Sequence, residues 1–262
     1  MTVTLTINDV VGTFECAPHE SLMTVLRRAG FYSVRFGSHT GETGAAAVLV
    51  DGKLVSADVM LAAQADGHKI ETVEGLAGPG EMHPIQQAFI DSGALQSGYS
   101  APATILATKA LLERKPNPTE QDIRDAFSGV LDRETGYLRP VHAVLRAAAV
   151  MLGEEPDNIE VAQLDELMGA EEREHHDRDD LSDIAPRVVP STDVPMMRVV
   201  GKAETKVDAI KLVKGNPAFT DDTDLSDTLI AKVLYSPHAH ARILAIDDEA
   251  ARALPGVHAV LH

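Results

Sequence analysis

Tryptophan is absent from this 262-residue chain, cysteine occurs once, at Cys16, and aromatic residues make up only 4%. One cysteine excludes an internal disulfide, and it cannot by itself hold a zinc ion or an iron–sulfur cluster. The chain therefore reads as cytosolic. Basic residues are also scarce. Lys and Arg number 23 against 40 Asp and Glu, a formal net charge of −17. Nucleic-acid backbones and anionic membranes are disfavoured as partners, because like charges repel. No long uncharged apolar run is present. The most apolar stretch, Val141 to Leu152, is interrupted by His142 and Arg146, which argues against a membrane span. The N-terminus shows no basic region followed by an apolar core, so no signal peptide is expected. What remains, 44% apolar and 24% charged residues, is the balance of a soluble globular protein.

Val3, Leu5 and Ile7 alternate with polar residues, the pattern of a half-buried strand. Asn8-Asp9 starts a turn, and residues 13–16 can return as its hairpin partner. Ser21 can cap a helix carrying Leu22, Val25 and Leu26 and ending near Gly30. A loop with Gly37, Gly41 and Gly44 leads to an apolar strand over 46–50. Asp51-Gly52 signals a tight hairpin returning through Leu54 and Val55. Residues 70–73 supply one more short strand. After Gly80 the pattern becomes helical, with helices expected over 83–92, 102–112, from Thr119 through Phe127, and 138–152. Pro102 suits a first helical turn, and Thr119 with Asp122 forms a short capping box. Four helices with short connections suggest a bundle.

From Glu154 to Asp183 there are 13 acidic residues and two arginines, a net −11 of the chain's −17. With Pro186, Pro190 and Pro195 beyond it, this stretch reads as a linker. A further unit begins at Met196, with strands expected over 231–235, 243–246 and 257–261 and a short helix over 247–254. At about 65 residues it is thin for an independent core, and is expected to complete its fold with another chain or a longer polypeptide.

The loop Gly37-Ser38-His39-Thr40-Gly41-Glu42-Thr43-Gly44-Ala45-Ala46, followed by Val48-Leu49-Val50-Asp51-Gly52, resembles the plant-type [2Fe–2S] domain of the xanthine dehydrogenase and aldehyde oxidase family, whose frame is G-C-x4-C-G-A-C-T-V-L-V-D-G. The family's cysteine positions fall on Ser38, Thr43, Ala46 and, after the hairpin, Asp58. Gln96-Ser97-Gly98-Tyr99-Ser100-Ala101-Pro102 resembles Q-C-G-F-C-T-P, and Ser128 through Tyr137 resembles S-G-N-L-C-R-C-T-G-Y. There the cysteine positions fall on Ser97, Ser100, Asp132 and Glu134. Glu74-Gly75-Leu76, Gln86 to Phe89 and Pro118-Thr119-Glu120 are shared as well. Further on, Gly201-Lys202, Asp208-Ala209, Lys211, Gly215, Asp221-Asp222 and Ser236 to Ile243 resemble the start of the family's molybdenum-binding chain.

The resemblance implies an α+β chain with a degenerate ferredoxin-like β-grasp domain over 1–78. A degenerate [2Fe–2S]-binding-like helical bundle follows over 79–152, then an acidic linker over 153–195. The N-terminal part of an α/β hammerhead-type molybdenum domain occupies 196–262. It implies a scaffold subunit or N-terminal portion of a molybdenum hydroxylase acting on a purine or other N-heterocycle. No iron–sulfur cluster is expected on this chain, because soft thiolates hold such iron and none of the eight positions supplies one. The molybdenum–pterin cofactor is expected in a partner or downstream chain. The implied partners are a molybdenum-binding large chain and separate FAD and [2Fe–2S] subunits. Gln96 matches a residue that hydrogen-bonds the molybdopterin, and no catalytic residue is assigned.

Two other readings stand beside this one. A degenerate redox domain could serve as a non-enzymatic assembly module, although the unit after Met196 argues against that. Asp132 and Glu134 are hard ligands suited to Mg or Ca, against the plainer reading that they pair with Arg133 or solvent. Cys16 reads as a small hydrophobe, His175-His176 as no metal site, and His238 with His240 as a weak pair. The glycines at 37, 41 and 44 lack the Lys-Ser/Thr that a phosphate loop requires.

Overall fold

The computed structural model describes residues 1–155, 204–223 and 228–262, in two compact units, Met1–Thr223 and Asp224–His262. The first unit is α+β. Strand β1 (Thr2–Ile7) buries Val3, Leu5 and Ile7. Asn8 and Asp9 adopt left-handed φ of 48° and 64°, a turn whose twist suits a two-residue hairpin. The return strand β2 (Val10–Glu15) is longer than expected and pairs antiparallel along all of β1. Helix α1 (Leu22–Arg28) begins where Ser21 accepts the Thr24 N–H, and lays Leu22, Val25 and Leu26 on the sheet.

Strand β3 (Ala47–Val50) is buried at every position. Val48 and Val50 join the α1 core, whereas Leu49 joins the core of the following helices. A strand covered on both faces has no reason to alternate, which explains its continuous apolar run. Asp51 and Gly52, at φ 48° and 77°, turn the chain into β4 (Lys53–Ser56). Strand β5 (Lys69–Glu71) lies parallel to β1 and antiparallel to β3, giving the order β2-β1-β5-β3-β4. The strand expected over 70–73 ends at Glu71, because Val73–Gly75 closes a 3-10 turn.

Helices α2 (Pro84–Asp91), α3 (Ala101–Arg114), α4 (Glu120–Phe127) and α5 (Leu138–Met151) follow. Ile85, Phe89, Ile105, Leu111, Ile123, Phe127 and Val144 share one apolar core. Thr119 and Asp122 form the expected capping box. Residues 204–223, placed by sequence in a unit beginning at 196, instead pack within the first unit. Helix α6 (Ala209–Val213) contributes Ala209 and Val213 to the helical core. At five residues it leaves little periodicity to read, and its stability comes from that packing.

In the second unit, helix α7 (Glu249–Arg252) lies inside the expected span. The strands expected over 231–235, 243–246 and 257–261 are absent among the described residues. Leu234, Leu244 and Leu261 are instead exposed. Alternation marks a segment able to form a strand, but a strand also needs ladder partners and a surface to cover its apolar side. The acidic linker beyond Glu155 and His175-His176 lie outside the described residues.

Candidate functional site: two loops joined through Glu134

The loop from α2 to α3 contains Gln96, Ser97, Gly98 and Ser100, and the loop from α4 to α5 contains Asp132 and Glu134. The fold brings them together through one side chain. Glu134, only 5% exposed, accepts the backbone N–H groups of Gln96 and Gly98 on Oε2, at 2.9 and 3.3 Å, and the Ser100 hydroxyl on Oε1 at 2.8 Å. Asp132 Oδ1 accepts the N–H of Glu134 at 2.9 Å. Ser97 turns outward and accepts the N–H of Tyr99. Gly98 has a φ of 71°, so Gln96 and Gly98 can both aim N–H groups at one anion, as backbone nests do. Three donors converge on this buried carboxylate, which offsets the cost of burying its charge.

The loop from α1 to β3 is knitted differently. Ser38 Oγ accepts the Gly41 N–H at 3.0 Å. Thr43 Oγ1 accepts the Ala45 N–H, and the Thr43 side chain fills the space that a Cβ at Gly37 would need. Ala46 is buried in the β-sheet core. Asp58 accepts the Ser56 hydroxyl on Oδ1 at 2.7 Å, while its buried Oδ2 has no partner. No hydrogen bond joins Asp58 to Ser38 or Thr43 among the described residues.

These eight positions supply four hydroxyls, three carboxylates and a methyl group. They do not fit a [2Fe–2S] cluster, whose iron takes thiolate sulfur. At Glu134 both carboxylate oxygens are already taken by donors. The carboxylate metal-site reading also finds no support, since among the described residues no group of three or more His, Cys, Asp or Glu could hold a metal ion. His238 and His240 are exposed in the second unit, and Cys16 is buried in the sheet core. Among the described residues no helix is long and apolar enough to cross a membrane.

Gln96 is exposed beside the Glu134 nest. Its backbone N–H belongs to that nest, and its side-chain amide donates a long 3.4 Å bond to Gly93 O. The amide is therefore only loosely held and is able to meet a partner.

Sequence reasoning assigned no role to a second constellation. Asp222, buried to 4% exposure, accepts Arg35 Nη1, Arg27 Nη2 at 3.2 Å, and the N–H groups of Ala218 and Phe219 at 3.1 Å. Burial opposes its charged form, but the donors from Ala218, Arg35 and Phe219 outweigh that and hold its carboxyl below the usual range. Glu74 accepts the Ser33 N–H and hydroxyl, and Gln86 Nε2 donates to Val213 O at 2.8 Å. Glu74, Gln86 and Asp222 all lie within the motifs that resemble the family, and that membership is the signal the sequence offers for them.

A family model described as "[2Fe-2S] binding domain" matches residues 72–145. One described as "Aldehyde oxidase and xanthine dehydrogenase, a/b hammerhead domain" matches residues 214–262. A probable hypoxanthine oxidase of Escherichia coli strain K12 is 32% identical over 264 residues, covering 100% of this chain. The chain spans only 25% of that relative's length. The nicotinate dehydrogenase small FeS subunit of Eubacterium barkeri is 41% identical over 149 residues, 56% of this chain and 94% of that subunit. Among solved structures, the aldehyde oxidoreductase of Desulfovibrio desulfuricans matches with a TM-score of 0.65 and 30% identity, over 84% of this chain and 22% of that one.

Proposed function

Because this chain belongs to the xanthine dehydrogenase and aldehyde oxidase family of molybdenum hydroxylases, we propose that it is that family's N-terminal scaffold in a cluster-free form. The observation that carries this reading is Glu134, whose carboxylate takes up the donors of the 96–100 loop from inside the chain. In this reading residues 1–78 are a degenerate ferredoxin-like β-grasp and 79–152 a degenerate helical bundle. Residues 153–195 are a linker, and 196–262 open a hammerhead-type molybdenum domain. No catalytic residue is assigned to the chain.

The molybdenum–pterin cofactor, which supplies the hydroxylation chemistry when bound, is assigned to a large chain, continuous or separate. Gln96 would meet the pterin through its loosely held amide. The substrate class proposed is a purine or other N-heterocycle, a reading supported by the relatives named as a probable hypoxanthine oxidase and as a nicotinate dehydrogenase subunit. Without a thiolate relay here, electron transfer to an acceptor is assigned to separate [2Fe–2S] and FAD-bearing subunits. A single buried cysteine suits a reducing cytoplasm. The match of residues 214–262 to the family's a/b hammerhead domain speaks against a free-standing adaptor.

The test is to isolate the native complex, separate its chains without denaturation, and measure iron and molybdenum. The expected result is molybdenum in the assembly and no cluster absorption on this chain. Iron and labile sulfide recovered with this chain would overturn the reading.

A further inference from the structure

We propose that Asp51-Gly52, at the tip of the β3–β4 hairpin, is a site of covalent self-modification, the isomerisation of Asp51 to isoaspartate, and that His68 is the latch that slows it.

The sequence contains two Asp-Gly steps, Asp51-Gly52 and Asp66-Gly67. Aspartate followed by glycine is the step most open to succinimide formation, because no side chain shields the following nitrogen. The backbone nitrogen of the glycine bonds to the aspartate Cγ, and a carboxyl oxygen leaves as water. Water then reopens the ring at either carbonyl. Opening at the former main-chain carbonyl routes the chain through the side chain, with no net change in mass and no reagent but water.

Both steps are exposed, and a Cβ at either glycine would meet nothing within 4 Å. Burial therefore does not separate them, but hydrogen bonding does. At Asp66-Gly67 one residue of β1 holds both reacting groups. The Gly67 N–H donates to Thr4 O at 2.8 Å, and Asp66 Oδ1 accepts the Thr4 N–H at 2.7 Å. At Asp51-Gly52 only the carboxyl is held. Its Oδ1 accepts the Lys69 N–H at 2.9 Å, and its Oδ2 accepts from His68 Nδ1 at 2.6 Å. An ionised carboxylate can only accept, so the His68 nitrogen is the donor. The Gly52 N–H has no hydrogen-bond partner among the described residues. Turning Cγ onto that nitrogen requires the carboxylate to leave β5, and His68 is the side-chain part of the hold. The His68 contact first, and then the Lys69 N–H, also hold the Asp51 carboxyl below the usual range. That keeps it ionised, which is the poorer electrophile.

The position of the turn gives the product its consequence. A two-residue loop sets the register of its hairpin, and isoaspartate adds one atom to the main chain within it. Val50 and Lys53, the pair that closes the turn, would lose their register. Strand β3 would carry that change to both cores, through Leu49 on one side and Val48 and Val50 on the other.

The test incubates the full chain at neutral pH and body temperature, digests it, and reads isoaspartate at each step by electron-transfer fragmentation, which distinguishes the isomers. Isoaspartate is expected at Asp51 and not at Asp66. In His68→Ala, with one exposed charge-assisted contact gone, accumulation at Asp51 should rise about fivefold, while Asp66 stays unmodified. Modification at Asp66 therefore serves as the marker of unfolding in the variant. In concentrated urea both steps should react, and His68→Ala should no longer differ from the unaltered chain. Equal accumulation at both steps in the folded chain would overturn the proposal. So would an unchanged rate at Asp51 in His68→Ala, or the absence of isoaspartate there in the folded chain.

Discussion

Gly44 and Gly129 approach so closely that a Cβ at residue 44 would stand 1.9 Å from the Gly129 carbonyl oxygen. Beside them, the Leu131 N–H donates to Thr43 O at 2.9 Å. The loop from α1 to β3 and the loop from α4 to α5 are therefore joined backbone to backbone, with Val130 packed against Ala47 and Ala103. Gly44 also has a φ of 64°. Gly44→Ala should cost about 3 kcal/mol, from left-handed strain together with the clash. Urea unfolding would show it as a lower midpoint, and an unchanged midpoint would mean that the joint bears no strain.

Glu134→Ala leaves two backbone N–H groups and the Ser100 hydroxyl without their acceptor, at an expected cost of about 3 kcal/mol. Glu134→Gln keeps one accepting oxygen but turns an NH2 group toward the remaining donors, so its cost should be smaller, about 2 kcal/mol. Hydrogen exchange gives a local reading. The amides of Gln96 and Gly98 should lose protection in both variants, and unchanged protection would contradict the role given to this carboxylate.

Asp222 makes stability depend on acid. Its carboxyl is held below the ordinary 3.8 in the folded chain. The stabilisation is therefore complete above that value and is lost as pH falls through the folded pKa. Thermal midpoints followed from about pH 5 down to about pH 1, the range over which a depressed carboxylate releases its contribution, should drop more steeply for the unaltered chain than for Asp222→Asn. Parallel slopes would remove Asp222 from the acid response.

Cysteine at all four helical-half positions should restore what the chemistry lacks. The variant Ser97→Cys, Ser100→Cys, Asp132→Cys, Glu134→Cys, supplied with iron and sulfide without oxygen, should bind about two irons per chain with visible absorption. Glu134→Cys alone should bind none. Failure of the fourfold variant would show that the backbone of these loops, as well as their side chains, has departed from a cluster-binding shape.

Much of the fold could be read from short-range signals. The alternation of Val3, Leu5 and Ile7, the Asp51-Gly52 turn, the Ser21 cap and the Thr119–Asp122 box each act within a few residues, and each stands where the sequence places it. The lack of thiolates at the eight positions was equally legible, since it follows from residue identity alone. Long-range relationships were not legible. Asp222 reaches Arg35 across 187 positions, and Glu134 finds its donors 34 to 38 positions away. Neither partnership leaves a periodic trace. The strands read over 231–261 show the opposite failure, because a local pattern cannot say whether ladder partners are present.

The lack of thiols at these eight positions has a consequence for oxidative damage. Thiolates climb a ladder from sulfenic to sulfonic acid, whereas carboxylates and aliphatic hydroxyls do not enter it. Glu134, Asp132, Asp58 and the four hydroxyl residues thus offer peroxide nothing to attack, and the lone thiol, Cys16, is buried in the sheet core. The eight positions that would be the most air-sensitive part of a thiolate-bearing relative are here inert, and in aerated buffer these loops should keep their shape.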